Sequence, residues 1–210
     1  MIQPDDILPP TVVVIEDDVD VRVSLQGLFR SVGLDVAPYG SVQEYLADAA
    51  SDRPGCMVLD VRLPGKSGLD FQDDLVKANA HASIVFISGH ADVAMSVRAM
   101  KAGAVEFLAK PVRDQDLLDA VQSAIEKDAK RRLQEASAAA SIHAFSTLTP
   151  RERVVMACVV TGRPNKQIAA ELGLSEATVK LHRGNVMHKM GARSLVDLVR
   201  MNDLLRDRPA

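Results

Sequence analysis

Five short apolar runs alternate with stretches of helical periodicity through the first half of this 210-residue chain. The runs are residues 11–15, 34–37, 56–60, 83–88 and 104–109. Short apolar runs separated by amphipathic helices are typical of buried parallel strands joined by right-handed helical crossovers. The alternation therefore predicts an α/β doubly wound, parallel sheet of five strands.

Helical periodicity and terminal residues mark the helices between these runs. The predicted helices cover residues 19–32, 42–50, 68–79 and 91–102, with a long one from 112 onward. Ser41 has the residue type of an N-cap for the second of them. In the third, the residues expected to face the core are Leu69, Phe71, Leu75 and Val76.

Polar side chains lie at, or directly after, the ends of four predicted strands. Because the carboxyl ends of parallel strands meet at one edge of a sheet, these side chains should share one cleft. They are Glu16, Asp17, Asp18, Asp60, Ser88 and Lys110. Clustered carboxylates repel one another unless a divalent cation neutralises them, and a site made only of oxygen ligands suits Mg²⁺.

Asp60 lies at the centre of this edge and is the candidate nucleophile. A carboxylate can attack a phosphoryl group when a metal and cations screen the incoming charge. Lys110 would pair with one phosphoryl oxygen, and the Ser88 hydroxyl would donate to another. Taken singly, Lys110 could be a surface lysine and Ser88 a strand-end cap, and for Asp18 the role of helix N-cap is preferred.

The segment Gly65-Lys66-Ser67 resembles the end of a phosphate-binding loop. That motif requires a glycine five positions before Gly65, where this chain has Asp60, so a nucleotide triphosphatase is excluded. The two cysteines, Cys56 and Cys158, are too far apart in sequence for a zinc site or disulfide framework and are expected in the core.

Four motifs in the first half occur together in a known family. They are the acidic pair after the first strand, Asp60-x-x-x-Pro64-Gly65-x-x-Gly68, Ser88-Gly89, and Phe107-x-x-Lys110-Pro111. On these motifs, residues 11–128 resemble the flavodoxin-like receiver domain of bacterial two-component response regulators.

This resemblance implies a role for each motif residue. Glu16 and Asp17 would be the metal pair, and Asp60 with the backbone carbonyl of Arg62 would complete the Mg²⁺ site. Asp60 would accept a phosphoryl group from a sensor histidine kinase. Ser88 and Phe107 would form the switch, since Phe107 would turn inward when the phosphoryl group draws Ser88 toward it. The alternative is that Phe107 is static core.

The second half of the chain differs from the first in charge. Residues 1–128 contain 21 acidic and 11 basic residues, a net of −10, whereas residues 129–210 contain 14 basic and 7 acidic, a net of +7. This asymmetry predicts two domains, of which the basic one faces nucleic acid. Residues 112–146 contain no Pro or Gly, so residues 129–145 are expected to form a helical linker between domains at 11–128 and 146–208.

The basic half has the pattern of an all-α, four-helix domain. Thr149, Pro150 and Glu152 form a capping-box sequence at the start of the first helix, and Ser175 is placed to cap the third. The helices are predicted over residues 150–161, 165–172, 175–190 and 194–205. A short helix, a turn containing glycine and a capped polar helix indicate a helix-turn-helix motif.

Three stretches of the basic half are similar in sequence to a second known family. They are residues 148–152, 165–169 and 174–182, and on them residues 148–201 are similar to the LuxR-type DNA-binding domain. The residues predicted to contact double-stranded DNA are Asn165, Lys166, Ser175, Thr178, Lys180, Leu181, His182, Arg183, Gly184 and Lys189. The resemblance implies that Leu181 and Gly184 face bases, and that the last helix dimerises.

Together the halves resemble response regulators of the FixJ/NarL type. The resemblance implies a transcription regulator, not an enzyme beyond formation and self-dephosphorylation of an aspartyl phosphate. It would homodimerise on phosphorylation, bind promoter DNA and contact RNA polymerase. The chain lacks an 18-residue apolar run and a signal peptide, so a cytoplasmic protein without a membrane partner is expected.

Two alternatives stay open from the sequence. One is an Mg²⁺-dependent phosphohydrolase with an aspartyl nucleophile, although Arg62 occupies the position where such an enzyme needs a second acid. The other is a DNA-binding protein that retains the receiver fold but does not respond to phosphorylation.

Overall fold

The computed structural model describes residues 9–48, 55–90 and 92–206. The chain divides into two compact units between Arg132 and Leu133, here called the amino-terminal and carboxy-terminal units. In the described residues, no helix is long and apolar enough to cross a membrane.

The amino-terminal unit is built on a parallel sheet. Its strands are β1 (Thr11–Ile15), β2 (Asp35–Tyr39), β3 (Gly55–Asp60), β4 (Ile84–Ser88) and β5 (Glu106–Ala109). The strand order is β2-β1-β3-β4-β5 and every neighbouring pair is parallel. The helices that connect them are α1 (Val19–Ser31), α2 (Val42–Ala47), α3 (Gly68–Lys77) and α4 (Val93–Lys101), and α5 (Asp114–Ser146) follows β5. The predicted doubly wound sheet is confirmed.

Both faces of this sheet are buried, so its central strands are apolar at successive positions. Val58 of β3 lies in the core cluster that includes Phe29 of α1 and Val121 of α5. Its neighbour Leu59 belongs to the opposite cluster, with Phe71 of α3. Adjacent strand residues point to opposite faces, which explains why β3 carries no alternating polar positions.

The start of β3 fits tightly against β1. A Cβ on Gly55 would lie 2.0 Å from the backbone oxygen of Thr11, and the φ of Gly55 is +148°, so a side chain is excluded there. The amide of Gly55 donates to Oδ2 of Asp128 in α5 over 3.0 Å. Arg131 and Arg132 form ion pairs with the same buried carboxylate.

Several predicted details of the amino-terminal unit are corrected. Val76 is 56% exposed and does not face the core, because the inward side of α3 runs through Leu69, Phe71 and the partly buried Leu75. The second strand lies at Asp35–Tyr39 and the fifth begins only at Glu106. Helix α2 ends at Ala47, and the predicted remainder at 49–50 lies outside the described residues, as does residue 91.

The carboxy-terminal unit contains four further helices after α5. They are α6 (Pro150–Val159), α7 (Asn165–Leu172), α8 (Glu176–Met190) and α9 (Leu195–Arg206). Thr149 and Glu152 form the predicted capping box, and Ser175 caps α8 by accepting from the Thr178 amide. A single core cluster joins these helices, with Val179, Val186 and Met190 of α8 buried in it as expected.

The predicted long helix after β5 is confirmed. Helix α5 spans 33 residues without interruption, from Asp114 to Ser146. The sequence lacks Pro and Gly over this stretch, and strong helix formers such as Ala, Glu, Lys and Arg are frequent in it, which accounts for its length.

Candidate functional site

Three carboxylates lie at the carboxyl edge of the sheet. Glu16, Asp17 and Asp60 each offer one oxygen, and these oxygens all lie within 4.8 Å of one another. The register of β1 and β3 pairs Ile15 with Leu59, so the residues that follow them are brought side by side. Glu16 is 1% exposed and Asp60 6%, whereas Asp17 is exposed.

Lys110 lies beside two of these acids. Its Nζ is 2.7 Å from Oε2 of Glu16 and 3.3 Å from Oδ2 of Asp60. Burial raises the pKa of Glu16, and the neighbouring Asp60 adds to this, although the hydrogen bond from Lys110 opposes it. For Lys110, burial acts to lower the pKa, but the contacts with Glu16 and Asp60 outweigh it and the pKa is raised. Lys110 therefore stays protonated and offsets part of the clustered negative charge.

Ser88 and Phe107 lie on neighbouring strands of the same edge. The Ser88 side chain is fully buried at the end of β4, and its hydroxyl accepts a hydrogen bond from the His90 amide over 3.3 Å. Phe107 of β5 pairs with Phe86, and their ring centroids are 6.0 Å apart. The Lys110 amide donates to the Ser88 carbonyl over 2.8 Å, which links the two strand ends.

The loop after Asp60 is held close to the sheet. The Arg62 amide donates to Oδ1 of Asp60 over 3.4 Å, and the Gly68 amide donates to the Val61 carbonyl. A Cβ on Gly68 would lie 2.3 Å from the Asp60 carbonyl oxygen, so the start of α3 can approach only because this residue is glycine. The Lys66 ammonium forms an ion pair with Asp74, consistent with the exclusion of a phosphate-binding loop.

The acidic residues after β1 have two different structural roles, because Glu16 and Asp17 belong to the carboxylate cluster and Asp18 does not. Asp18 is the N-cap of α1, because its carboxylate accepts from the Asp20 and Val21 amides, and it is not one of the three clustered acids. Arg22 is a site residue that the sequence does not predict: its guanidinium donates to the backbone carbonyls of Glu16 and Asp17. Its only signal in the sequence is its position one turn into the helix that follows the acids.

The chemistry of the cluster fits a magnesium ion. All three side chains are carboxylates, and hard divalent cations prefer oxygen ligands. Burial is the main cause of the raised pKa of Glu16, and repulsion from Asp60 adds to it; a divalent cation would relieve that repulsion. The geometry therefore supports an acidic cation-binding cluster next to a protonated lysine.

A second candidate surface lies on α7 and α8. Most of the predicted DNA-contacting residues are exposed or half-buried along these two helices. Asn165 accepts from the Arg183 guanidinium over 3.3 Å, which joins the start of α7 to the middle of α8. Leu181 is 63% exposed, and no atom of the described chain lies within 4 Å of a Cβ built on Gly184, so internal packing does not account for that glycine.

Lys189 differs from the other predicted DNA contacts. Its Nζ is 2.7 Å from Oε2 of Glu152, the buried acid of the capping box on α6. The hydrogen bond from Lys189 lowers the pKa of Glu152 to about 2, with help from the Thr149 backbone amide. Lys189 therefore has a partner inside its own unit, and a DNA contact from this residue stays a prediction.

A parallel sheet with this acidic edge, followed by a helix-turn-helix unit, defines a class of two-part signalling proteins that bind DNA. Comparison with models of known protein families shows which family this chain belongs to. Residues 12–122 match the response regulator receiver domain, and residues 146–202 match the bacterial regulatory proteins of the luxR family. The chain belongs to the response regulators with a LuxR-type DNA-binding domain, and it is a phosphorylation-dependent transcription regulator.

Several relatives align with nearly the whole chain. Nodulation protein W of Bradyrhizobium diazoefficiens is 57% identical over 194 residues, which are 92% of this chain and 86% of that protein. The transcriptional regulatory protein FixJ of Azorhizobium caulinodans is 43% identical over 198 residues, 94% of this chain and 93% of that one. The solved structure of the response regulator StyR aligns with a TM-score of 0.83 at 43% identity, covering 93% of this chain and 99% of that one.

Proposed function

We propose that Asp60 is the phosphoacceptor through which a sensor histidine kinase controls DNA binding by this chain. The observation that carries the proposal is the position of Asp60, whose carboxylate lies within 4.8 Å of oxygens of Glu16 and Asp17 and 3.3 Å from the Lys110 ammonium. A carboxylate in that setting is screened well enough to meet an anionic phosphoryl group.

The proposed reaction is a single phosphoryl transfer. An oxygen of Asp60 forms a bond to phosphorus while the bond from phosphorus to the imidazole nitrogen of the kinase phosphohistidine breaks. The imidazole leaves as the neutral base or takes up a proton from water. Attack of water on the acyl phosphate later returns Asp60 and inorganic phosphate, which is the proposed self-dephosphorylation.

Residues around Asp60 have separate proposed roles. Glu16, Asp17, Asp60 and the backbone carbonyl of Arg62 would hold Mg²⁺, which when bound neutralises charge on the acids and on the incoming phosphoryl group. Lys110 would pair with a phosphoryl oxygen after giving up its contact with Asp60.

Ser88 and Phe107 are the proposed switch. Ser88 is fully buried, and within the described residues its hydroxyl accepts a local hydrogen bond from the His90 amide, so it can turn toward a phosphoryl oxygen. Phe107 is partly buried on the adjacent strand and can occupy the space that Ser88 leaves. The change would reshape the outer surface of α4 and β5.

The outer surface of α4 is the proposed dimer contact of the phosphorylated protein. Three large apolar side chains on this helix are exposed, Val93 at 79% and Val97 and Met100 at 44% each. Exposed apolar residues grouped on one helix suit a contact that forms only in one state. Dimerisation would then present two helix-turn-helix motifs to an inverted repeat in promoter DNA, where the complex contacts RNA polymerase.

The proposed functional boundaries are 11–128 for the receiver, 129–145 for a helical linker and 146–208 for the DNA-binding domain. The uninterrupted α5 supports a helical linker, and the division of the chain between Arg132 and Leu133 falls inside the proposed linker.

Replacement of Asp60 tests the proposal. Asp60→Asn should abolish both incorporation of phosphate from acetyl phosphate and the donor-dependent increase in dimer and in DNA affinity. Asp18→Asn is the matched control, because asparagine caps helices as well as aspartate and Asp18 is not one of the three clustered acids. If Asp60→Asn still dimerises in response to the phosphoryl donor, Asp60 is not the acceptor.

A further inference from the structure

A buried glutamine joins α3 to α4. The Gln72 side chain is 3% exposed, and its Nε2 donates to the Ala99 carbonyl oxygen over 3.2 Å. Its Oε1 is also buried, but it has no hydrogen-bond partner within the part of the chain that the structure describes. A buried acceptor without a partner is destabilising, and an apolar side chain of the same length would avoid that cost. Packing alone therefore does not account for a glutamine at this position.

The hydrogen bond from Gln72 fixes the end of α4. Ala99 lies in the last turn of this helix, where carbonyl groups have no partner within the helix itself. The same carbonyl accepts from the Ala104 amide over 3.1 Å, so the bond lies at the connection between α4 and β5. A hydrogen bond requires one relative position of its two groups, whereas apolar contacts let packed helices slide. Gln72 therefore specifies where the end of α4 lies relative to α3.

Arg98 makes a second connection between the same two helices. Its guanidinium lies 2.8 Å from Oδ1 of Asp70 and 2.6 Å from Oδ2 of Asp73, and both acids belong to α3. By helical spacing, Arg98 projects from a different side of α4 than the three exposed apolar residues of the proposed dimer contact. A substitution of Arg98 therefore acts on the position of α4 without removing a side chain from that contact.

The contacts around Asp60 indicate which state this position of α4 belongs to. Lys110 is paired with Asp60, and the Ser88 hydroxyl accepts from the His90 amide. Both contacts are given up in the proposed response to phosphorylation, so the described arrangement corresponds to the unphosphorylated form. Helix α3 is a fixed support in it, because Gly68 at its start packs against the Asp60 carbonyl.

We propose that Gln72 and Arg98 are positioning residues that hold α4 where it lies in the unphosphorylated form and thereby oppose dimerisation. This inference rests on the proposed function, because it takes the outer surface of α4 as the dimer contact. The movement of Ser88 and Phe107 must then break the hydrogen bond from Gln72 before α4 reaches its dimer-forming position. Since each contact stabilises one of two positions, loss of the contact shifts the equilibrium toward the other.

Gln72→Met tests the hydrogen bond. Methionine has a similar length and volume but no donor, and it removes the unpartnered acceptor, so the variant should fold without loss of stability. Without a phosphoryl donor, its dimer dissociation constant should fall about 25-fold, which is about fivefold for the hydrogen bond lost in each subunit. Sedimentation velocity of the full-length chain over a range of concentrations measures this constant. A purely structural glutamine would change the melting temperature and leave the constant unchanged, which would overturn the inference.

Arg98→Met tests the second connection. It removes two exposed ion pairs, which are weaker than a buried hydrogen bond, so the dissociation constant without donor should fall only about fivefold. Lys77→Met is the matched control, because Lys77 lies 3.7 Å from Asp74 of its own helix. Leu75→Met is the control for Gln72→Met, since it exchanges a partly buried apolar residue of α3 for another. Neither control should change dimerisation, and an equal change in the controls would contradict the inference.

Val97→Asp shows whether the dimer of Gln72→Met uses the proposed surface. Val97 is on the exposed side of α4, so a charge there should abolish this dimer. A dimer that survives Val97→Asp uses another surface, and the inference is then wrong.

Treatment with acetyl phosphate separates this inference from the proposed function. The unaltered chain should dimerise only after treatment, whereas Gln72→Met should dimerise before it as well. If the unaltered chain incorporates phosphate and stays monomeric, the proposed dimer contact fails and this inference fails with it. If the unaltered chain responds but Gln72→Met stays monomeric without donor, only the inference fails.

Discussion

The negative charge of the buried Glu16 carboxylate is stabilised by the Lys110 ammonium, which also contacts Asp60. Without this cation, two acids with little exposure would face each other and repel. The sequence indicates that Lys110 reaches the acidic edge, because strand ends of a parallel sheet converge, but not that Glu16 is its nearer partner. That choice depends on side-chain reach across three strands, which spacing along the chain does not encode.

Lys110→Met should therefore destabilise the amino-terminal unit by about 2 kcal/mol in the absence of divalent cations, as expected for a partly exposed pair that loses one partner. Added Mg²⁺ should restore more stability to this variant than to the unaltered chain, because the ion replaces the missing positive charge. Thermal unfolding with and without MgCl₂ measures both effects. Lys77→Met, which removes an exposed lysine 3.7 Å from Asp74, should change neither.

Glu152 makes the stability of the carboxy-terminal unit dependent on pH. Its pKa is lowered from 4.5 to about 2, chiefly by the hydrogen bond from Lys189. A lowered pKa in the folded state means that the contribution is complete above pH 4.5 and is lost as the pH falls toward 2. The unit should therefore melt at progressively lower temperature across this range.

Glu152→Gln should flatten that dependence. Glutamine can still accept from the Thr149 amide, so the capping box is kept while the charge that pairs with Lys189 is removed. Melting curves of the variant should begin lower at pH 7 and change less between pH 5 and 3. If both proteins lose the same stability over that interval, another group is responsible for the acid sensitivity.

A buried carboxylate connects helix α5 to strand β3. Asp128 accepts from the Gly55 amide and from the Arg131 and Arg132 guanidinium groups. Burial acts to raise the pKa of Asp128, but these hydrogen bonds outweigh it and the pKa is lowered. The contact joins residues 73 positions apart, so sequence periodicity, which reports on local structure, does not predict it.

Asp128→Ala should lower the stability of the amino-terminal unit by about 3 kcal/mol, because it removes the buried carboxylate that accepts from the Gly55 amide and pairs with two guanidinium groups. Urea unfolding would show this as a shift in midpoint with an unchanged slope. Asp119→Ala, which removes an exposed acid from the same helix, should shift the midpoint far less. Equal shifts would mean that Asp128 does not anchor the helix.

The order of strands and helices could largely be predicted from the sequence. Which side of each helix is buried was harder to predict. Strands β1, β3 and β4 are apolar on both faces, a pattern that leaves few alternatives for their placement. The helices are harder, because apolar residues also occur on exposed sides: Val19 and Val23 of α1 follow a helical spacing yet are 58% and 60% exposed. Only the packed structure shows that Leu25, Leu28 and Phe29 form the inward side.

Charge is divided unequally between the two halves of the sequence. The net of −10 over residues 1–128 and of +7 over residues 129–210 means that only the second half attracts DNA. Binding should therefore weaken steeply with added salt, because cations released from the phosphates drive much of the association.

Lys180→Ala should weaken DNA binding similarly for all sequences and reduce the slope of log affinity against log salt by about 1, the change expected from loss of one phosphate contact. Titration of a labelled duplex at several salt concentrations gives the slope. Lys77→Ala, which removes an exposed cation from the acidic half, should leave it unchanged. An unaltered slope for Lys180→Ala would show that this lysine does not meet a phosphate.

Gly55, which begins β3, and Gly68, which begins α3, determine how much sequence change the segment around Asp60 can tolerate. Main-chain atoms lie 2.0 Å from a Cβ on Gly55 and 2.3 Å from a Cβ on Gly68, so any side chain at either position must displace β1 or Asp60 itself. Apolar side chains between Gly55 and Asp60 can exchange for others of similar volume. The apolar residues of β3 can therefore change during evolution while the position of the Asp60 carboxylate stays the same.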